Sequence, residues 1–161
     1  MSYRFILKII GTFVAFLVSF PLAFLYKKIP NFFTSLFSPV NNSILEYSKV
    51  IFGSILLGGI TQKIIVIFKK IKVNNICFST FVTAIIAVLL YMILSSILFA
   101  IYEENEVIKI LLTGIVIIIA EIIAYFITKC PEYKLENYTI VFVIITYIIF
   151  MFITYFTNKT S

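Results

Sequence analysis

Residues 107–128 read VIKILLTGIVIIIAEIIAYFIT, and this stretch decides the fold. Only Lys109 and Glu121 are charged in it. A helix crosses a hydrocarbon core of about 30 Å with about 20 predominantly apolar residues, so this segment is long enough and apolar enough to span a bilayer. Lys129, Cys130 and Pro131 close it, because proline disfavours helical geometry in the residue before it.

Four more blocks of the same kind flank it, at about 5–26, 50–68, 76–102 and 138–156. The chain is 62% hydrophobic and 12% charged. A soluble domain of this length is about half apolar and about a quarter charged. The expectation is an all-α integral membrane protein of 161 residues, a single bundle of about five transmembrane helices in the membrane of a bacterial cell. The first block has a basic start, but its apolar stretch is longer than that of a signal peptide. It reads as a retained anchor, with a kink at Pro21. Between the first two blocks, Phe33, Leu36, Phe37 and Val40 recur at helical spacing, which suggests a short interfacial helix over 31–40.

Charge placement sets the expected orientation. With the N-terminus inside, the inner side collects Arg4, Lys8, Lys63, Lys69, Lys70, Lys72, Lys129 and Lys134. The outer side collects Lys27, Lys28, Lys49, Lys109 and Lys159. Eight against five favours N-in and C-out. The acidic turn at Glu103, Glu104 and Glu106 then lies outside, and Cys77 and Cys130 lie near the inner face. Tyr26, Tyr47, Tyr102, Tyr133, Tyr138 and Tyr155 fall near span ends, as an interfacial aromatic belt does. The net charge of +6 comes from clusters between apolar blocks. No long basic tract points to nucleic acid.

Small residues mark where helices should meet. Ser54 and Gly58 are four apart and give the second span a close-packing face. Thr80, Thr83, Ala84, Ala87 and Tyr91 share one face of the third span. Gly114 lies on the same side of the fourth span as Glu121, with Tyr125 and Thr128 near by.

The composition excludes much chemistry. With no His and no Asp, there is no Ser-His-Asp triad, no Cys-His dyad and no histidine-ligated zinc. No phosphate-binding glycine motif is present. The chain is therefore expected not to be an enzyme and to need no cofactor or metal. Glu121 stands out, since a carboxylate at membrane depth normally faces the bundle interior or a wet cavity. Counting back from the span ends puts Lys63 at roughly 8 Å and Glu121 at roughly 11 Å from the inner boundary. The expected polar site is Glu121 paired with Lys63, or reached through Gln62, beside Tyr125.

Three functions fit these residues: a non-catalytic accessory subunit of a membrane complex, a small transporter or transporter subunit using Glu121 and Lys63, and an immunity-type membrane protein. The expected partners are the lipid bilayer and either another membrane protein or further copies of this chain.

Overall fold

A computed structural model describes residues 3–41, 43–102 and 105–159. Among these residues six helices follow one another: α1 (Tyr3–Lys28), α2 (Phe32–Phe37), α3 (Ile44–Lys69), α4 (Ile76–Ile101), α5 (Glu106–Ile127) and α6 (Glu136–Lys159). All but α2 are long and apolar enough to cross a membrane. The protein is an integral, multi-pass membrane protein. The turn at Glu103 and Glu104 lies outside the described residues, as do the side chains of Glu106 and Lys159.

α1, α3, α4 and α5 close into a ring in which each packs on the next. α6 lies outside the ring, against α4, α3 and the short α2. The order of packing follows from side-chain size. A Cβ on Gly58 would stand 2.7 Å from the carbonyl oxygen of Gly11 and 3.3 Å from the Ala15 Cβ, so α3 and α1 touch backbone to backbone. On the next residue, a Cβ on Gly59 would overlap Thr80 of α4. Two adjacent glycines thus seat α1 and α4 on different sides of α3, which makes α3 the most buried span. Ser54, Ala84 and Ala87 are fully buried in the same interior. α6 brings few small residues and is the least buried span, with most of its Ile, Phe and Val side chains facing outward.

Two of the sequence-based expectations need correction. α3 begins at Ile44, six residues before the expected start at residue 50. The Ser43 side chain caps it by accepting the Glu46 N–H at 3.2 Å, and Glu46 and Lys49 pair at 2.6 Å within the first turns. That pair is almost fully buried, so Glu121 is not the only carboxylate inside the bundle. Tyr47 consequently leaves the aromatic belt: it is buried and stacks on Tyr91 of α4 at 5.6 Å.

α2 is set between Pro30 and Pro39 by a reciprocal cap. Asn31 accepts from the Thr34 N–H at 2.8 Å, and the Thr34 hydroxyl accepts from the Asn31 N–H at 3.1 Å. Ser38 then accepts the Tyr26 N–H at 2.9 Å, fastening the connection to the end of α1.

Candidate functional site

The helix ends where α1 starts, α3 gives way to α4 and α5 gives way to α6 carry most of the lysines, and they form the basic end of the bundle. One and a half to two turns in from this end, three side chains from three helices meet. The Lys8 ammonium lies 3.3 Å from the Glu121 carboxylate. It also donates to the Gln62 side-chain oxygen at 2.9 Å. The Gln62 amide in turn reaches both Glu121 carboxylate oxygens at 3.5 Å. Lys8, Gln62 and Glu121 are 6%, 1% and 4% exposed, so each satisfies the others in place of water.

Gly11 makes the arrangement possible. A Cβ there would overlap the Gln62 amide, so only glycine leaves room for Gln62 to pass α1 and reach its partners. On α5, Ala120 and Ala124 flank Glu121 and are fully buried, which brings the carboxylate close to its neighbours.

The expected Lys63–Glu121 pair does not form. Lys63 binds Glu136 of α6 at 2.7 Å, with both side chains about one-third exposed. Glu136 also accepts the Cys77 N–H at 3.4 Å, so this pair ties α3, α4 and α6 near the basic end. Gln62, one residue before Lys63, lies level with Glu121, but successive residues on a helix differ by about 100° in direction. Gln62 faces α1 and α5 while Lys63 faces α6. The cation that meets Glu121 is Lys8, which sequence position alone makes look like an ordinary flanking charge. No feature of α1 shows in advance that the face bearing Lys8 packs inward, except Gly11, Ala15 and Ser19 at helical spacing on that same buried face.

A groove of about 880 Å³ runs along the outer seam between α1 and α5. Phe5, Phe13 and Phe16 line it from α1, and Ile115, Ile118 and Phe126 from α5. Lys8 and Glu121 are part of its wall. Gly114 sits on it opposite Phe16, where an added Cβ would come within 3.0 Å of the ring. Tyr125, expected beside Glu121, lines the groove at the basic end and meets the Phe5 ring edge-on at 6.0 Å. The exposed Lys129 ammonium lies over the Tyr125 ring, 4.2 Å from its centroid. Of the residues expected to pack, Gly114 is therefore a groove residue, whereas Ser54, Gly58, Ala84 and Ala87 lie inside the bundle.

A second polar cluster marks the opposite end. The Lys49 ammonium donates to the Ser35 carbonyl and to the Thr154 hydroxyl, each at 2.8 Å. Glu46 accepts from the Val40 N–H at 3.0 Å and from Thr154 at 2.7 Å. This cluster joins the α2 connection, α3 and the far end of α6. It does not line the α1–α5 groove, and its geometry is that of a staple.

No protein-family model matches the chain, and comparison with curated proteins and with solved structures found no match either.

Proposed function

We propose that this protein is a non-catalytic component of a bacterial membrane that works by binding, and that the α1–α5 groove is its binding surface. The observation that carries this reading is the buried Lys8–Gln62–Glu121 cluster, of which Lys8 and Glu121 stand in the wall of an apolar groove that opens outward from the bundle. A buried ion pair contributes little net stability, because desolvation offsets its attraction. An open groove gives up packing contacts that two helices would otherwise make. Both features at one place go against stability, and an ionisable group at membrane depth marks a functional site by default. The absence of His and Asp from the sequence weighs against catalysis.

The test is to purify the tagged full chain in mild detergent and identify by mass spectrometry what co-elutes. Wild type, Ile118→Trp and Glu121→Gln are compared. Ile118 is half exposed in the groove, so tryptophan there fills the groove without entering the core. A guest held one per chain by wild type and lost from Ile118→Trp is the expected result. A bare wild-type protein, or a guest retained equally by Ile118→Trp, removes the proposal.

Transport is the second reading, favoured by Glu121 itself, a carboxylate placed where a groove meets the interior of the helix ring. Substrate flux that disappears in Glu121→Gln while the guest still binds would make the groove a stage in translocation.

A further inference from the structure

We infer that the guest is an anionic glycerophospholipid, with an acyl chain in the α1–α5 groove and its phosphate at Lys129 on the basic end. The inference rests on the groove being the binding surface, and three observations carry it further.

The first is the lining. Phenylalanine rings and branched aliphatic side chains form the walls, which suits a hydrocarbon chain.

The second is length. The groove runs on α1 from Phe5 to Phe16, about 16 Å, and on α5 from Leu111 to Phe126, about 22 Å, at 1.5 Å per residue. One leaflet of a hydrocarbon core of about 30 Å is about 15 Å deep. Phe16 lies near the middle of α1, so on that helix the lining ends at about mid-membrane. A groove that starts at the basic end and gives out before the opposite end, at Phe16 on α1 and at Leu111 on α5, matches a lipid chain better than a partner helix, which would follow the seam from face to face.

The third is charge. The charge of Glu121 is met by Lys8 at 3.3 Å, so the wall does not repel an anion. At the mouth, Lys129 stands over the rings of Tyr125 and Phe126, at 4.2 and 5.7 Å, and both rings line the groove. Arg4 precedes Phe5 at the same end. Neither Lys129 nor Arg4 has a carboxylate partner among the described residues. A phosphate at the mouth would supply one, with its chain already directed along the groove.

The experiment titrates phosphatidylglycerol and phosphatidylcholine separately onto delipidated full-length protein in detergent, with native mass spectrometry as the readout. Wild type is expected to retain one phosphatidylglycerol per chain in preference to phosphatidylcholine. Lys129→Gln should weaken phosphatidylglycerol by about five-fold, the effect of one lysine near an anionic surface, and weaken phosphatidylcholine less, because its choline cation already offsets its phosphate. Ile118→Trp should lose both lipids. Ile119→Trp, equally bulky on an exposed position outside the groove, should lose neither, which separates filling the groove from damaging the fold.

Equal retention of the two lipids, unaffected by Lys129→Gln but lost in Ile118→Trp, would overturn the anionic lipid and leave the groove as the binding surface. Lipid retention indifferent to Ile118→Trp would overturn both. Photocrosslinking from position 118 to a transmembrane segment of another protein, in place of lipid, would also overturn the lipid assignment.

Discussion

Glu121 and Lys8 are each held by the other, so removing one charge and removing both have different consequences. Breaking a buried pair on one side strands the remaining charge and costs about 3–5 kcal/mol. Lys8→Met and Glu121→Gln should therefore each lower the thermal midpoint in detergent, and the double variant should lose less than the two singles added together. Additive losses would mean that the 3.3 Å contact carries no coupling. The glycines differ in a similar testable way. Gly58→Ala pushes a methyl group into the Gly11 carbonyl at 2.7 Å, a backbone atom that cannot step aside. It should cost about 1–3 kcal/mol. Gly114→Ala meets only the edge of the Phe16 ring at 3.0 Å, beside open groove, and should cost clearly less. Unfolding measurements that reverse this order would contradict the α1–α3 contact. The sequence points to Glu121 with Lys63 or Gln62, and in the structure Gln62 meets Glu121 whereas Lys63 binds Glu136. Depth can be counted from span ends, whereas direction around a helix depends on which neighbours it meets.

Elements are held at their ends by side chains that the sequence did not mark. Asn75, in the left-handed conformation at φ 56°, links the α3–α4 loop to the α5–α6 loop. Its amide donates to the carbonyls of Cys130 and Pro131 at 3.3 and 2.8 Å, and its oxygen accepts the Tyr133 N–H at 2.9 Å. Asn75→Ala removes these bonds and leaves alanine in a left-handed conformation that asparagine tolerates better through its polar side chain, and should cost about 2–4 kcal/mol. Asn75→Gly keeps the backbone relaxed and should recover part of that loss. If the two variants unfold together, strain at this position is not a factor. At the opposite end, Thr154 holds α6 to Glu46 and Lys49. Thr154→Val should speed amide exchange in the last turns of α6 while leaving α3 protected, because α6 has little other buried surface. Equal loosening of both helices would show that the staple serves the bundle as a whole.

Five spans place the two ends of the chain on opposite sides, and the lysine bias predicts the N-terminal end inside. Cys77 and Cys130 both belong to the basic end. In intact cells a membrane-impermeant maleimide should label neither, whereas Lys27→Cys in a background without the native cysteines should be labelled. The reverse pattern would invert the protein in the membrane and move the groove's basic mouth to the outer leaflet. The packing of the bundle leaves the α1–α5 seam open. The two helices leave a groove of about 880 Å³ open to the outside, while a smaller cavity of about 320 Å³ lies where α6 meets α3 and α4.

The membrane-spanning class, the number of long helices and their approximate ends were legible in the sequence because each depends on local composition. A block such as residues 107–128 is apolar enough to settle its solvent without reference to any other part of the chain. The start of α3 was misplaced because Glu46 and Lys49 look like loop charges until a partner for each is known. The candidate site was legible as a depth and a carboxylate, and no further. That Lys8 and not Lys63 meets Glu121, that Gly11 clears the way for Gln62, and that α1 and α5 leave a groove between them are relations between helices far apart in the chain. Only packing decides them, since the small faces of Gly58 and Gly59 fix which helices approach and thereby which side chains turn inward.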